Sequence, residues 1–219
     1  MAIGRPRGSN AAPTGGTRRV WFAFLVAILC AGLLGFGTPA GAASFTVNGV
    51  EFSDEYGGFR LLSVTGMGTT KDPFVVVEEI IGDEPAILVI RGMAGGGTLQ
   101  EGHSAFSAFV MTKIVFNNSR RGWSGFDHEL REVIDTPSSY MDGLSFDQPG
   151  ITPRPFQSDR FKIAHEIREP YDSLRYRNGK VDPGQKVRFD VTVTDPTPTP
   201  EFFLIQRPFW PVAMYQCCR

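Results

Sequence analysis

Along residues 186–194 apolar and polar side chains alternate without a break. Val187, Phe189, Val191 and Val193 fall on one side, and Lys186, Arg188, Asp190, Thr192 and Thr194 on the other. A period of two is what a strand with one buried face requires. Shorter runs rich in Val, Ile, Phe and Thr recur through the chain beyond residue 43, broken every ~8–12 residues by Gly, Pro, Asn and Asp, the spacing of a sandwich or barrel. Asn48-Gly49, between apolar runs at 45–47 and 50–52, predicts a tight hairpin. Strands follow at 59–64, 74–81 and 86–90, the last two almost continuously apolar and so suited to central places. Residues 106–116 form the longest apolar segment of this region, and the face made by Val110, Thr112, Ile114 and Phe116 suits a central strand. Turns at Asn178-Gly179 and Asp182-Pro183-Gly184 place a strand at 174–176. Pro196, Pro198 and Pro200 make a stiff crossing to a last strand at 202–205. One stretch reads two ways: Phe126, Leu130, Val133 and Ile134 have helical spacing over 127–134, but the same residues suit a bent strand. The expected fold is all-β, a single β-sandwich of immunoglobulin-like or jelly-roll type over residues 43–208, with 209–219 as a C-terminal tail.

The apolar run at 20–37 stands outside this pattern. It carries no charge, follows Arg5, Arg7, Arg18 and Arg19, and leads through Thr38-Pro39 to the small residues Ala40-Gly41-Ala42-Ala43. Basic region, apolar region and small-residue site together describe a secretory signal peptide over residues 1–42, cut after Ala42; an uncleaved anchor is the alternative, since about 18 apolar residues approach the length of a bilayer span. Either reading sends the remainder out of the cytoplasm, to the periplasm, the cell surface or beyond. Removing the leader takes away four of the 22 Lys and Arg and none of the 23 acids, so the formal charge moves from −1 to −5. An acidic, mixed surface argues against nucleic acid as a partner and leaves the membrane to residues 20–37 alone. Beyond the leader the cysteines are Cys217 and Cys218, so none in the body of the chain can close a disulfide loop. The core is expected to hold by burial.

The stretch Asn117-Asn118-Ser119 followed by Trp123 and then by alternating Phe126, His128 and Leu130 resembles the secreted β-sandwich domains of exosortase-sorted, PEP-CTERM type bacterial proteins. The turn at 178–185 resembles the one before their penultimate strand, and 202–208 their closing strand. Those proteins end in Pro-Glu-Pro, an apolar helix and a basic cluster, whereas this sequence stops eight residues after Pro211. The resemblance implies an exported, non-catalytic sandwich and supplies no catalytic residues. For an exported binding module the candidate partner is a protein or glycan at the cell surface, which no residue here identifies.

Candidate chemistry is sparse. G-x-S-x-G and zinc-type Cys/His spacing are missing from the sequence. His128 lies between Asp127 and Glu129, but on a strand those acids point away from it; His103 and His165 sit in more polar surroundings. Asp142 and Asp147 flank a turn and, with Asp172 from a neighbouring loop, offer oxygen ligands for Ca²⁺, without the pattern of an EF-hand. The rival to a binding or structural module is a secreted carbohydrate-active hydrolase using paired carboxylates, with Glu78 or Glu79 the most buried acids and Trp123, Tyr140, Phe146, Phe156, Tyr171 and Trp210 available to line a groove.

Overall fold

The period-two runs become strands stacked in two sheets. The computed structural model describes residues 41–93, 107–139, 141–146, 156–167, 171–197 and 199–210. The apolar run at 20–37, the glycines at 95–97, His103, Tyr140, Asp147 and the terminal cysteines lie outside these residues. The described residues form thirteen strands and no helix. One sheet is made of β1 (Ser44–Val47), β2 (Val50–Ser53), β5 (Ala86–Arg91), β13 (Glu201–Phe209), β7 (Gly125–Arg131), β11 (Ser173–Gly179) and β10 (Phe161–Ile167), in that order. The other runs β3 (Phe59–Thr65), β4 (Phe74–Ile80), β6 (Ser107–Asn117), β12 (Lys186–Asp195) and β8 (Ser145–Phe146), with β9 (Phe156–Ser158) also pairing to β12. The expected β-sandwich is therefore the fold, and the stretch at 127–134 is strand followed by turn.

Chain order explains the one parallel contact among these strands. β4 and β6 lie side by side, but β5 between them in sequence belongs to the opposite sheet, so the chain re-enters in the same direction. The hairpin at Asn48-Gly49 forms as its sequence predicts, with both residues at positive φ (48° and 78°). β10 is a strand the alternation does not announce. It sits at a sheet edge and five of its seven residues, from Lys162 to Glu166, carry Lys, Ile, Ala, His and Glu with little burial, which blurs the period.

The inward faces form one hydrophobic core. Phe74, Val76 and Ile80 come from β4, Phe109, Met111 and Val115 from β6, Val187, Phe189, Val191 and Val193 from β12, and Phe202 and Leu204 from β13. The inward face of β6 is thus the one opposite to the Val110, Thr112, Ile114, Phe116 face that looked more suitable in sequence. The reason is Lys113. A lysine in the middle of the Phe109, Met111, Val115 series makes that face look solvent-exposed, yet its side chain is completely buried.

Candidate functional site

Between the two sheets a polar tier interrupts the core. Each member sits on an inward position of an otherwise apolar strand: Glu78 between Val76 and Ile80 on β4, Lys113 between Met111 and Val115 on β6, His128 between Phe126 and Leu130 on β7, and Gln206 two residues after Leu204 on β13. All four are 0% exposed. Backbone pairing fixes their neighbours. Gln206 lies directly across the ladder from His128 on one side and from Ala86 on the other, and Lys113 lies across from Val76 and Phe189. Lys113 Nζ donates to Glu78 Oε2 at 2.7 Å, and Gln206 Nε2 donates to the same oxygen at 3.3 Å. One carboxylate oxygen from one sheet therefore gathers an amine from its own sheet and an amide from the other.

Aromatic rings close the tier. The His128 ring sits 5.1 Å from Phe126, 4.8 Å from Phe189 and 5.6 Å from Tyr176, centroid to centroid. Phe52, Phe74, Phe109 and Phe202 form a second set of edge-on and stacked contacts elsewhere in the core. In such surroundings charge is costly. Burial pushes the Lys113 amine below the ordinary lysine value, with the Glu78 charge and hydrogen bond opposing. Burial and the nearby Lys113 charge hold His128 well below the ordinary imidazole value, so it is neutral, with the Gln206 amide opposing them. Glu78 Oε1 and Gln206 Oε1, both acceptors, have no hydrogen-bond donor, and neither ring nitrogen of His128 has a partner.

The remaining candidates are dispersed. Glu79 points outward from β4, bound by Arg60 and Asn118. Asp127 and Glu129 point away from His128, as strand geometry requires, into arginines: Asp127 takes Arg177 at 2.5 Å, and Glu129 takes Arg131 at 2.6 Å and Arg207 at 2.5 Å. Burial opposes ionisation of Glu129, but the bonds from Arg131 and Arg207 outweigh it and hold its carboxyl below the usual range. His165 is exposed on β10. Of the three residues considered for Ca²⁺, Asp147 is outside the described residues and Asp172 is buried at the start of β11. Asp142 organises its own turn, accepting from Ser138 Oγ and from the N–H groups of Ser139 and Leu144. Its charge reaches Glu132 and Asp195, both raised chiefly by burial and further by Asp142. Among the described residues no group of three or more His, Cys, Asp or Glu is placed to hold a metal. Of the aromatic residues considered for a groove, Trp123 and Phe146 are buried in the core and Phe156 and Trp210 pack against it, while Tyr171 is exposed.

Lys113 and Gln206 are the members that sequence reading passes over. Their signal is a coincidence of pattern: three apolar inward series, on β4, β6 and β13, each contain one residue able to ionise or hydrogen-bond.

At one end of the sandwich the segment after β6 meets the turn before β12. Asn117 donates through its side-chain amide to the carbonyls of Arg121 and Val181, at 2.9 and 3.0 Å, and its Oδ1 accepts from the Ser119 hydroxyl and N–H. Trp123 and Val181 exchange both backbone hydrogen bonds, at 2.9 and 3.0 Å. The two sequence stretches at 117–123 and 178–185 are thus one corner. In comparisons with known proteins the chain matches no family model, no curated protein and no solved structure.

Proposed function

We propose that this chain is an exported, non-catalytic β-sandwich acting as a binding or structural module of the bacterial envelope or exterior. One observation carries the reading: the inward-facing groups Glu78, Lys113, His128 and Gln206 are wholly enclosed, and Lys113 and Gln206 are both bonded to Glu78. A turnover site needs its acid or base within reach of a substrate. Several outward acids support the same reading, because they are engaged by arginines: Glu129 by Arg131 and Arg207, and Glu55 and Glu201 by Arg91.

Support for export is in the sequence: the basic and apolar leader, the small residues before Ala43, and an acidic balance once the leader is removed. The resemblance to exosortase-sorted sandwich domains leads to the same compartment, and a module there has proteins and glycans of the cell surface within reach.

Fractionation of the native cells with N-terminal sequencing tests this. The expected result is a chain outside the cytoplasm that begins at Ala43. A cytoplasmic chain that retains Met1 would overturn export.

A further inference from the structure

We propose that Lys113 and Gln206 condense inside the folded core, forming an amide cross-link between β6 of one sheet and β13 of the other, with Glu78 carrying the proton. The proposal is independent of the export reading, since it is decided on the purified protein.

Three features of the tier point to this chemistry. First, nucleophile and leaving group touch a single atom: Lys113 Nζ and Gln206 Nε2 both bond to Glu78 Oε2, at 2.7 and 3.3 Å. Sharing that oxygen keeps the two side chains together, so a bond between them costs less entropy than one between free groups. Second, all three side chains are sealed from solvent, which favours the neutral amine over the ammonium and keeps out the water that would compete as nucleophile. Third, Glu78 Oε1 and Gln206 Oε1 are acceptors without donors, a costly arrangement in a dry core. Moving one proton from the Lys113 ammonium to Glu78 frees the amine lone pair and gives Glu78 a donor suited to a carbonyl oxygen.

The step balances without any added reagent. The ammonium of Lys113 passes a proton to the Glu78 carboxylate. The Nζ lone pair attacks Gln206 Cδ while the Glu78 acid supports the oxygen on which negative charge develops. As the Nζ–Cδ bond forms and the Cδ–Nε2 bond breaks, Nε2 takes up a proton that Nζ sheds through the carboxylate and leaves as ammonia. The products are one secondary amide, one ammonia and Glu78 in its acid form, with no change in oxidation state. The result is a single-turnover modification that ties the two sheets together in a chain whose body has no cysteine for a disulfide.

The test is mass spectrometry of the purified, folded, full chain. The intact mass is expected to be lower by one ammonia. Trypsin, blocked at a linked Lys113, should release a branched species joining residues 92–120 to residues 189–219. Glu78→Gln, nearly isosteric, is expected to give the full mass and the two separate peptides, with circular dichroism confirming its fold. Separate, unmodified Lys113 and Gln206 peptides in the wild-type digest would overturn the proposal, whatever the variant does. Ammonia loss mapped to a succinimide at Asn48-Gly49 or Asn178-Gly179 would overturn it equally. Full linkage in Glu78→Gln would overturn the role of Glu78.

Discussion

The buried pair Glu78–Lys113 makes a prediction whose size can be worked from the structure. Both side chains are 0% exposed and their charged atoms lie 2.7 Å apart. At an effective dielectric of about 20 the attraction is roughly 6 kcal/mol, and bringing both ions out of water costs several kcal/mol each. The two terms nearly cancel, so the pair is worth little in total, while removing one member strands the other at a cost of about 3–5 kcal/mol. Lys113→Met, Glu78→Leu and the double variant should therefore separate clearly in urea unfolding, followed by fluorescence of the buried Trp123. The double variant should exceed each single by about 3–5 kcal/mol, a midpoint difference of roughly 1.5–2.5 M at a slope of about 2 kcal/mol/M. None of the three can form the proposed amide, so the comparison is independent of it. Glu78→Leu should also become more stable as pH rises towards the ordinary lysine range, because its stranded lysine is neutral when folded and protonated when unfolded. Three variants of equal stability, or single effects that add in the double, would refute a desolvated pair.

The remaining predictions concern His128 and two glycines. His128 is neutral in the fold and its pKa is depressed by burial and by Lys113, so the unfolded chain binds the extra proton below about pH 6.5. Stability should fall as pH drops through that point, by up to about 1.4 kcal/mol per unit from this group, and His128→Leu should lose that component in denaturation curves at pH 5, 6 and 7. An unchanged pH dependence would contradict it. Gly179→Ala places a Cβ 2.1 Å from the Arg160 carbonyl, so backbone must move, at about 1–3 kcal/mol. Gly184→Ala meets open space and pays only for φ at +79°, about 1–2 kcal/mol. Thermal melts should rank Gly179→Ala as the larger loss, and the reverse order would contradict the packing of β10 on β11.

How much of this is legible in the sequence depends on where a residue's partners come from. β12 is evident because its inward residues, Val187 to Val193, are apolar and most of its outward ones are polar. β6 is evident as a strand but its face is misread, because Lys113 is stabilised by Glu78, a residue from a strand two steps earlier in the chain. The parallel contact that joins them exists because β5 crosses to the other sheet, and nothing local records that crossing. β10 escapes notice because an edge strand is exposed on more than one side, while β8 and β9 are too short, at two and three residues, to show a period. Glu78 could be picked out as a buried acid from its apolar neighbours. Gln206 could not, because its role depends on His128 and Glu78 arriving from elsewhere.

Amine labelling of the folded protein tests most directly whether the polar tier is a closed structural core or an open site. Lys71, Lys162, Lys180 and Lys186 are exposed and serve as internal standards, whereas Lys113 is fully buried. With an acylating reagent and peptide mapping of Glu78→Gln, in which Lys113 keeps its free amine, the expected result is modification of those four lysines and none at Lys113 while the fold persists. Acylation of Lys113 at the rate of Lys186 in the folded chain would mean that solvent and small molecules reach the tier, and the non-catalytic reading would fall.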